Sequence, residues 1–377
     1  MSYASLAVGA GSGPDTPLPN RHGMTSRSHY EAAAAVYWQP GDHFAVTGGV
    51  LAYDGTTTPT GTIASLGNEY AQIDVGYRDR WWSPFADSAM VFGTQASTMP
   101  SVSLANYTPF TRWNLRYEVF LAEMSESSNI AFAGGTTVGE PRLAGMHLSI
   151  EPLPGWSLGV NRIMQYGGGP RDDSLRNLVK AFFNPSDRDN AGVGTPEEFG
   201  NQAASLTSQF VLADPVPLAV YFEYAGEDTS TLSNLRLGNS ALSAGISLPQ
   251  LGKFALTVEV SEWQNGWYEH HIYGDGLRQE NHVIGHWGGD WRRRGDAVDA
   301  RSAFARLGWQ PRFGGMLETT YRQLDNADYT GGNYERARQF AARYSWPWEQ
   351  FFVGAEVTVG RDVFGDSYSR VSGFVRF

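Results

Sequence analysis

The sequence predicts an all-β fold: a closed antiparallel transmembrane β-barrel of about 18 strands, with long loops that partly fill its lumen. The chain of 377 residues has 13% aromatic residues and 44 glycines, a composition typical of proteins with many strands and turns. Segments of about 10–12 residues alternate between apolar and polar side chains, and this is the length that a tilted strand needs to cross a bilayer. Short and long connections between these segments also alternate.

The composition excludes several other classes of protein. The chain has no cysteine, so it has neither disulfides nor cysteine-bound metals. Its 39 acidic and 28 basic side chains give a net charge of −11, which disfavours a nucleic-acid partner. Mean hydropathy is −0.34, and no apolar run reaches the ~18–20 residues of a spanning helix, which excludes a helical membrane bundle. No pattern in the sequence indicates a cofactor.

The alternation of side chains is well developed in three segments. One face of 351–360 is apolar, while the other face is mixed. The segments 253–261 and 113–122 show the same period of two, as expected for strands with one face toward lipid and one toward a lumen.

The connections support a barrel because their lengths sort by parity. Short connections, often with proline, are predicted at 39–42, 151–155, 214–217, 249–252, 310–312 and 346–348. Long, polar, glycine-rich connections are predicted at 11–28, 53–68, 125–140, 166–199, 227–237, 264–297 and 325–334. Outer-membrane barrels have short periplasmic turns and long extracellular loops, whereas a soluble β-sandwich has no reason to sort its loops in this way.

This scheme predicts a single barrel domain over residues 1–377. The predicted strands are 3–10, 29–39, 43–53, 69–79, 87–95, 99–106, 112–124, 141–151, 156–165, 200–212, 217–226, 238–248, 252–263, 298–310, 313–324, 335–346, 350–361 and 367–377. An error in the 87–106 hairpin would change the count by two.

The two termini carry different signals. The first residues lack the basic region and long apolar run of a secretory signal, so the sequence is either that of a cytoplasmic protein or written from a mature or truncated start. The last segment alternates in polarity and ends on Phe377. We expect it to be a final strand that engages the barrel assembly machinery.

Aromatic residues and one helical segment complete the topology. The aromatic residues beside predicted short turns indicate an interfacial girdle; they are Tyr37, Trp38, Trp81, Trp82, Trp113, Trp156, Trp309, Trp346, Trp348 and Phe377. A helix is predicted over 175–183, between a capping segment at 172–174 and the Asn184-Pro185 pair. It would either fold into the barrel mouth as a constriction or lie on the rim.

The faces opposite the apolar ones carry charges of both signs. These predicted lumen-lining residues include Arg116, Glu118, Glu259, Glu318, Arg322 and Glu356. They either pair with one another across the lumen or keep it wet as a polar channel.

Two groups of residues suggest chemistry. His147 and Ser149 share a strand face and invite a nucleophile-and-base interpretation, but that face points inward, whereas an outer-membrane phospholipase needs a lipid-facing nucleophile. The 264–297 segment is rich in aromatic, acidic, histidine and arginine side chains. His282 and His286, with Asp275 and Asp290 nearby, could bind a divalent cation, but no element fixes them in register, and we expect no metal site.

The same segment suits a sugar ligand better than a metal ion. Aromatic rings stack on pyranose faces, while carboxylates and guanidinium groups bind hydroxyl or acidic groups. The candidate glycan-binding residues in extracellular loops are Trp267, Tyr268, His270, Tyr273, Asp275, Trp287, Asp290, Trp291, Arg292, Arg293 and, in the 166–199 connection, Arg171. A compatible alternative is that the 264–297 loop packs into the lumen as a plug.

Several segments, taken in order over about residues 70–300, resemble the Wzi-type capsule assembly family. They are Arg80-Trp81-Trp82-Ser83-Pro84, Gln165-Tyr166-Gly167-Gly168, Gly200-Asn201-Gln202, Gly226-Glu227-Asp228, Tyr273-Gly274-Asp275-Gly276 and Gly285-His286-Trp287-Gly288-Gly289-Asp290.

The resemblance implies an eighteen-stranded outer-membrane barrel that acts as a surface lectin for capsular or related polysaccharide, without catalysis, and whose lumen is occluded by loops. Lipid and lipopolysaccharide would surround it. The family pattern includes an N-terminal periplasmic helical bundle, and this chain starts almost directly with a strand, so that region is either absent or removed. The rival interpretation is a transport channel, either a polysaccharide exporter or a substrate-selective porin; an outer-membrane hydrolase is the third.

Overall fold

The structure is a computed structural model that describes residues 2–183, 198–227 and 237–376. Eighteen antiparallel strands, labelled β1–β18, form a barrel, and a further short strand, Thr56–Thr58, pairs with β3 in the same sheet. They are β1 Ser2–Ser12, β2 Tyr30–Gly41, β3 Phe44–Tyr53, β4 Ile63–Asn68, β5 Ala71–Tyr77, β6 Pro100–Ala105, β7 Arg116–Glu123, β8 Arg142–Leu153, β9 Trp156–Tyr166, β10 Gly200–Leu212, β11 Leu218–Glu227, β12 Ser240–Leu251, β13 Phe254–Trp263, β14 Ala300–Trp309, β15 Met316–Asn326, β16 Ala337–Trp348, β17 Phe351–Arg361 and β18 Ser367–Arg376.

The sheet closes on itself because β1 pairs with both β2 and β18. This closure leaves no sheet edge unpaired and confirms the predicted closed barrel of eighteen strands. Phe377, the predicted end of the last strand, lies outside the described residues. Among the described helices, none has the length and apolar character needed to cross a membrane.

The alternation along each strand separates an apolar outer wall from a polar inner wall. In β13, Phe254, Val258 and Val260 are exposed on the outer wall, whereas Glu259 and Trp263 are buried inside the lumen. The predicted apolar faces therefore point outward and the predicted lumen-facing sides point inward.

The connections sort into two ends of the barrel, as predicted. Tight turns join β2 to β3, β8 to β9, β12 to β13 and β16 to β17 at one end, here called the turn end. The other end, the loop end, carries the long connections, including 13–29, 78–99 and 264–299. A short hairpin of Ser127–Phe132 and Gly135–Gly139 also lies in a loop-end connection.

The predicted number of strands is correct only because one wrongly predicted strand and one missed strand cancel. The segment 87–95 is not a strand, because the whole stretch 78–99 is irregular and turns into the lumen, where Met90 and Val91 are fully buried. The strand β4 instead lies within the predicted 53–68 loop. Its residues are mostly small or polar, so its alternation is weak in sequence.

The same error misplaced two tryptophans. Trp82 is buried inside the barrel, with its ring 5.6 Å from that of Phe92 and 5.3 Å from that of Phe120, and Trp81 belongs to the same lumenal segment. They are not part of an interfacial girdle. Trp38, Trp113 and Trp348, by contrast, are exposed near the turn end, as predicted.

The predicted helix exists as α1, Leu175–Phe183, but it does not enter the mouth. Its buried residues Leu178 and Ala181 pack with Met164 and Tyr166 of β9. These two residues lie on the outer wall, because the alternating Ile163 and Gln165 are buried in the lumen. Of the two sequence-based alternatives, the constriction is therefore wrong, and α1 lies against the outside of the barrel.

Candidate functional site

The lumen is filled by two loop-end segments, 78–99 and 264–299, here called the plug. The largest apolar cluster among the described residues lies between them and includes Met90, Phe92, Trp267, Tyr268 and Trp287. The segment 13–29 packs on the plug, where the Trp291 indole nitrogen donates to the Pro17 carbonyl at 3.3 Å. The sequence-based alternative, in which the 264–297 loop packs into the lumen, is confirmed.

Inward-facing carboxylates of the barrel bind the first plug segment. Glu118 on β7 accepts from Arg80 Nε at 2.8 Å and from the Trp82 indole at 3.2 Å. Glu259 on β13 accepts from the backbone nitrogens of Ala86 and Asp87 at 2.7 and 3.0 Å. Because hydrogen bonds to charged acceptors are the strong ones, the segment is fixed to the wall at several points.

Asp87 connects the two plug segments to the wall. It is buried and accepts from the Trp287 indole at 3.0 Å and from Arg322 Nε of β15 at 2.7 Å. Arg322, a predicted lumen residue, therefore neutralises a plug carboxylate. A buried charge is tolerated only when it is paired and hydrogen-bonded, and both conditions hold here.

Tyr268 lies at the centre of the second plug segment. Its backbone nitrogen donates to both carboxylate oxygens of Glu227, at 2.8 and 3.0 Å. Its hydroxyl donates to the Met90 carbonyl at 2.7 Å and accepts from the His286 backbone nitrogen at 2.7 Å. Burial raises the pKa of Tyr268 well above its usual value, so the phenol stays protonated and keeps its donor role.

The remaining predicted lumen residues lie closer to the turn end. Glu318 and Arg322 border a polar cavity of about 160 Å³, together with Arg343 and Glu356. Arg343 Nη2 lies 2.5 Å from Glu356 Oε2. Arg116 is exposed and contacts the Tyr107 carbonyl at 3.2 Å. Three of the six predicted residues, Glu118, Arg322 and Glu356, form ion pairs, but with Arg80, Asp87 and Arg343 and not with one another.

Most of the predicted glycan-binding residues are buried in the plug or beneath the loops, so they do not form an accessible surface. Burial keeps their rings and guanidinium groups out of reach of a polymer outside the barrel. These residues are Trp267, Tyr268, Tyr273, Trp287, Trp291, Arg292 and Arg171. The Asp290 side chain is also buried and accepts from Gln95 at 2.8 Å.

The other members of the predicted set remain accessible at the loop end. His270 is half-buried, Asp275 is partly exposed and Arg293 is exposed. Asp275 accepts from Ser127 at 2.6 Å and Asn129 at 2.9 Å, and lies 3.2 Å from Arg294. Burial alone would raise the pKa of Asp275, but these hydrogen bonds and the Arg294 charge outweigh it and lower the pKa. Asp275 is therefore an anion at neutral pH.

A polar cleft at the loop end was missed by the sequence analysis. It has a volume of about 370 Å³ and is lined by four loop-end connections, which are 13–29, the loop after β3, 264–299 and, through Ser97, 78–99. Its polar side chains include Asp15, Arg27, Tyr53, Asp54, Glu280 and His282. Arg294 continues this surface to Asp275, because it also donates to Asn281 at 3.2 Å.

The histidines do not form the metal site considered above. His282 Nδ1 lies 3.1 Å from Asp290, whereas His286 is buried between the Gly288 backbone nitrogen and the Ser302 hydroxyl, each at 3.0 Å.

A different group of described residues, Glu198, His270 and His271, is compact enough to hold a metal ion. Two observations disfavour a cation there. His270 Nδ1 accepts from the Ile272 backbone nitrogen at 3.2 Å, which places the ring proton on the other nitrogen. The second observation is positive charge close to His270. Burial, the neighbouring His271 and the Arg171 guanidinium together lower the pKa of His270 to about 3, and the charge of Arg171 would also repel a cation.

His147 and Ser149 form a hydrogen-bonded group with Asn161. His147 Nδ1 lies 2.6 Å from Asn161 Oδ1, and Nε2 lies 3.2 Å from the Ser149 hydroxyl. Such an order suits a nucleophile and its base. The group faces the lumen, however, and the His147 ring stacks on buried Trp82 at 5.9 Å. The structure thus keeps these atoms away from the outer wall that a lipid substrate would contact.

Acidification should loosen the plug. Burial lowers the pKa of His286 from 6.5 to about 4, although Asp87 acts in the opposite direction. Between these values the unfolded segment binds a proton that the folded segment excludes, so plug stability falls as pH drops from about 6.5 toward 4. We expect bilayer conductance to rise over this window, and His286→Gln, which keeps an acceptor without titrating, to flatten the response. Equal pH dependence in both proteins would contradict this origin.

Comparison with known proteins gives the family. The model of the family described as "Capsule assembly protein Wzi" matches residues 61–363. A Klebsiella pneumoniae protein, described as an uncharacterized 55.8 kDa protein in the cps region, is 26% identical over 168 residues. That match covers 42% of this chain and 31% of the Klebsiella protein, so the chain matches about a third of that relative's length.

Solved structures share the fold. The Escherichia coli protein Wzi, described as a carbohydrate-binding outer-membrane β-barrel involved in group 1 capsule assembly, superposes with a TM-score of 0.75 at 16% identity. That superposition covers 100% of this chain and 84% of Wzi. Pseudomonas aeruginosa OccK3 is more distant, with a TM-score of 0.60 at 10% identity over 100% of this chain and 94% of OccK3. Since the family model spans most of the residues, this chain belongs to the Wzi capsule assembly protein family.

Proposed function

We propose that the protein is a non-enzymatic outer-membrane lectin that holds capsular or extracellular polysaccharide at the cell surface, with its loop end facing outward. The observation that carries this proposal is the plug. An eighteen-stranded barrel is wide enough for an aqueous channel, yet two segments fill this lumen with packed aromatic side chains. A filled lumen favours surface binding over the alternative of polysaccharide export or a substrate-selective porin channel.

The glycan would bind at the loop end, along the cleft and the adjoining Asp275 and Arg294. Carboxylates of Asp15, Asp54 and Glu280 can accept from sugar hydroxyls, while Arg27 can donate to them. Three acidic groups in the cleft favour hydroxyl-rich segments over a densely acidic polymer, because like charges repel. Of the predicted set, His270, Asp275 and Arg293 are the residues retained in this proposal.

The further partners follow from the barrel and stay predictions. The apolar outer wall would contact membrane lipid and lipopolysaccharide, and the last strand would engage the barrel assembly machinery during insertion. The organisation as one barrel domain over residues 1–377 also stays a prediction.

The binding proposal is tested by Asp15→Ala combined with Arg27→Ala. Both side chains are exposed in the cleft, so their removal should leave the barrel intact. Hydrogen bonds to charged groups are worth about 1.5–3 kcal/mol each. We therefore expect retention of polysaccharide from the producing strain to fall by at least about tenfold, measured by co-sedimentation with protein in liposomes.

The matched control is Asp42→Ala combined with Arg312→Ala, which removes one acid and one base at the turn end, where both residues are exposed. This variant should retain the polysaccharide within about twofold of the parent, since a change of that size is under ~0.5 kcal/mol. Equal polysaccharide retention by both double variants would show that the cleft is not the binding site. Absence of polysaccharide retention by the parent protein would overturn the proposed lectin function.

A further inference from the structure

An apolar groove lies on the outer wall beside α1. Its cavity volume is about 550 Å³, within the range of sites that enclose a small ligand. The floor consists of outward-facing side chains of β5–β9. They form two adjacent cross-strand rows, one with Leu104, Val119 and Met146 and the other with Val102, Leu121 and Ala144.

The helix forms the second side of this groove. Val179, Phe182 and Phe183 line it, and Leu175, Val179 and Phe183 follow one another at four-residue spacing on one helical face. Among them, Phe183 is 78% exposed and Val179 53% exposed. The described residues therefore leave an apolar stripe of α1 uncovered, directly over an apolar floor.

A partly buried arginine fixes the helix in this position. Arg162 lies on the outer wall, opposite Met146 in the cross-strand pairing. Its guanidinium group donates to the carbonyls of Ala181, at 3.2 Å, and Phe182, and to the side chain of Gln202. These carbonyls belong to the last turn of α1 and have no partner within the helix. An arginine on a lipid-facing wall is costly, and this contact with the helix end satisfies it.

The rest of α1 carries positive charge toward its surroundings. Arg176 and Lys180 are exposed and lie four residues apart, on a different face from the apolar stripe. Arg142, at the loop end of β8, lies 2.8 Å from Asp173, which precedes the helix. A ligand with an apolar chain and an anionic head would match both features.

The chain itself is a poor occupant of the groove. Residues 184–197, which follow α1 in the sequence, are Asn-Pro-Ser-Asp-Arg-Asp-Asn-Ala-Gly-Val-Gly-Thr-Pro-Glu. Four of these residues are charged, and valine is the largest aliphatic residue among them. Burying such a segment against an apolar floor would cost more than it gains.

We propose that the groove holds an acyl chain of a phosphorylated outer-leaflet lipid, with its phosphate paired to Arg176 and Lys180. This inference rests on the outer-membrane location proposed above but not on glycan binding. The lipid would lie between α1 and the outer wall. Unlike the lipids that surround any barrel, it would stay bound when the protein is extracted from the membrane with detergent.

The test is native mass spectrometry of the full chain, refolded in detergent and incubated with bis-phosphorylated lipid A. We expect one retained lipid in the parent. Ala144→Trp fills the floor and Val179→Trp fills the helix side, so each should weaken retention at least about tenfold. Leu206→Trp is the control, because Leu206 is exposed on the outer wall of β10, away from the groove lining. It should behave as the parent.

The head group is tested separately with Arg176→Glu combined with Lys180→Glu. This variant should lose retention of bis-phosphorylated lipid A and leave the weaker binding of dephosphorylated lipid A unchanged. If the parent protein bound the two lipids equally, the proposed phosphate contact would be overturned.

The proposal that the groove binds a lipid has its own contradicting outcomes. Full lipid retention by both tryptophan variants, with heat-modifiable mobility confirming that they are folded, would overturn it. A parent protein that forms oligomers and carries no lipid would also overturn it. Polysaccharide retention measured on the same samples separates this outcome from failure of the lectin proposal.

Discussion

Replacing residues 265–297 with a short glycine–serine linker should convert a barrel that is silent in planar bilayers into one that conducts ions. This segment supplies the largest rings of the lumenal cluster, including Trp267, Tyr268 and Trp287. Eighteen-stranded barrels without such a plug leave an aqueous channel. Because the segment 78–99 would stay attached to Glu118 and Glu259, we expect a smaller conductance than after removal of both segments.

The control for this deletion is a shortening of residues 328–331, which also belong to a loop-end connection but are exposed. That variant should stay silent. Steady conductance of the intact protein would contradict the proposal of a lectin with a filled lumen. The lumenal arginines and glutamates would then be the residues to test for transport. Silence of the variant lacking both segments, with a folded barrel, would show that the plug is not what closes the lumen.

Asp87→Ala should release the plug without removing any of its rings. The substitution leaves the partly buried Arg322 guanidinium without its anion and the Trp287 indole without its acceptor. Breaking a buried charge pair by removing one partner costs about 3–5 kcal/mol, which corresponds to an increase of at least about 100-fold in local opening. Hydrogen exchange of peptides covering 284–291 should accelerate accordingly, while exchange in the barrel strands should not change.

Two comparisons make the Asp87 result specific. Asp87→Asn keeps an acceptor for the Trp287 indole and should show a smaller acceleration than Asp87→Ala. Asp366→Ala removes an exposed acid from another loop-end connection and should exchange as the parent does. If Asp87→Ala left the hydrogen exchange of 284–291 unchanged, Asp87 would not be what connects the two plug segments to the wall.

The barrel could be predicted because its signal is local. The alternation of β13 and β17 and the capped helix α1 depend only on neighbours within a few residues, and each was placed within a few residues of its observed bounds. The prediction failed where the local pattern was weak or misleading. β4 is built from small and polar residues, and the apolar run 89–92 owes its composition to burial in the lumen, so it imitated a strand.

The candidate site was predicted less well because it depends on burial and on contacts between distant segments, which local patterns do not show. A tryptophan-rich loop looks alike in sequence whether its rings face solvent or pack inside a barrel, and the structure buries Trp267, Trp287 and Trp291. The accessible cleft, in contrast, combines Asp15, Asp54 and Glu280 from three connections. No spacing along the chain relates these positions, so no motif could have indicated them.

The sequence by itself determined the closed barrel, its orientation of faces, the parity of its connections and the helix. Tertiary structure alone decided which connections enter the lumen, which aromatic rings remain accessible, and that α1 lies on the outer wall. The physical reason is range. Strand and helix patterns arise from side chains two to four positions apart, whereas the plug is fixed by contacts such as that of Trp287 with Asp87, which are 200 positions apart, and by burial that only the closed barrel creates.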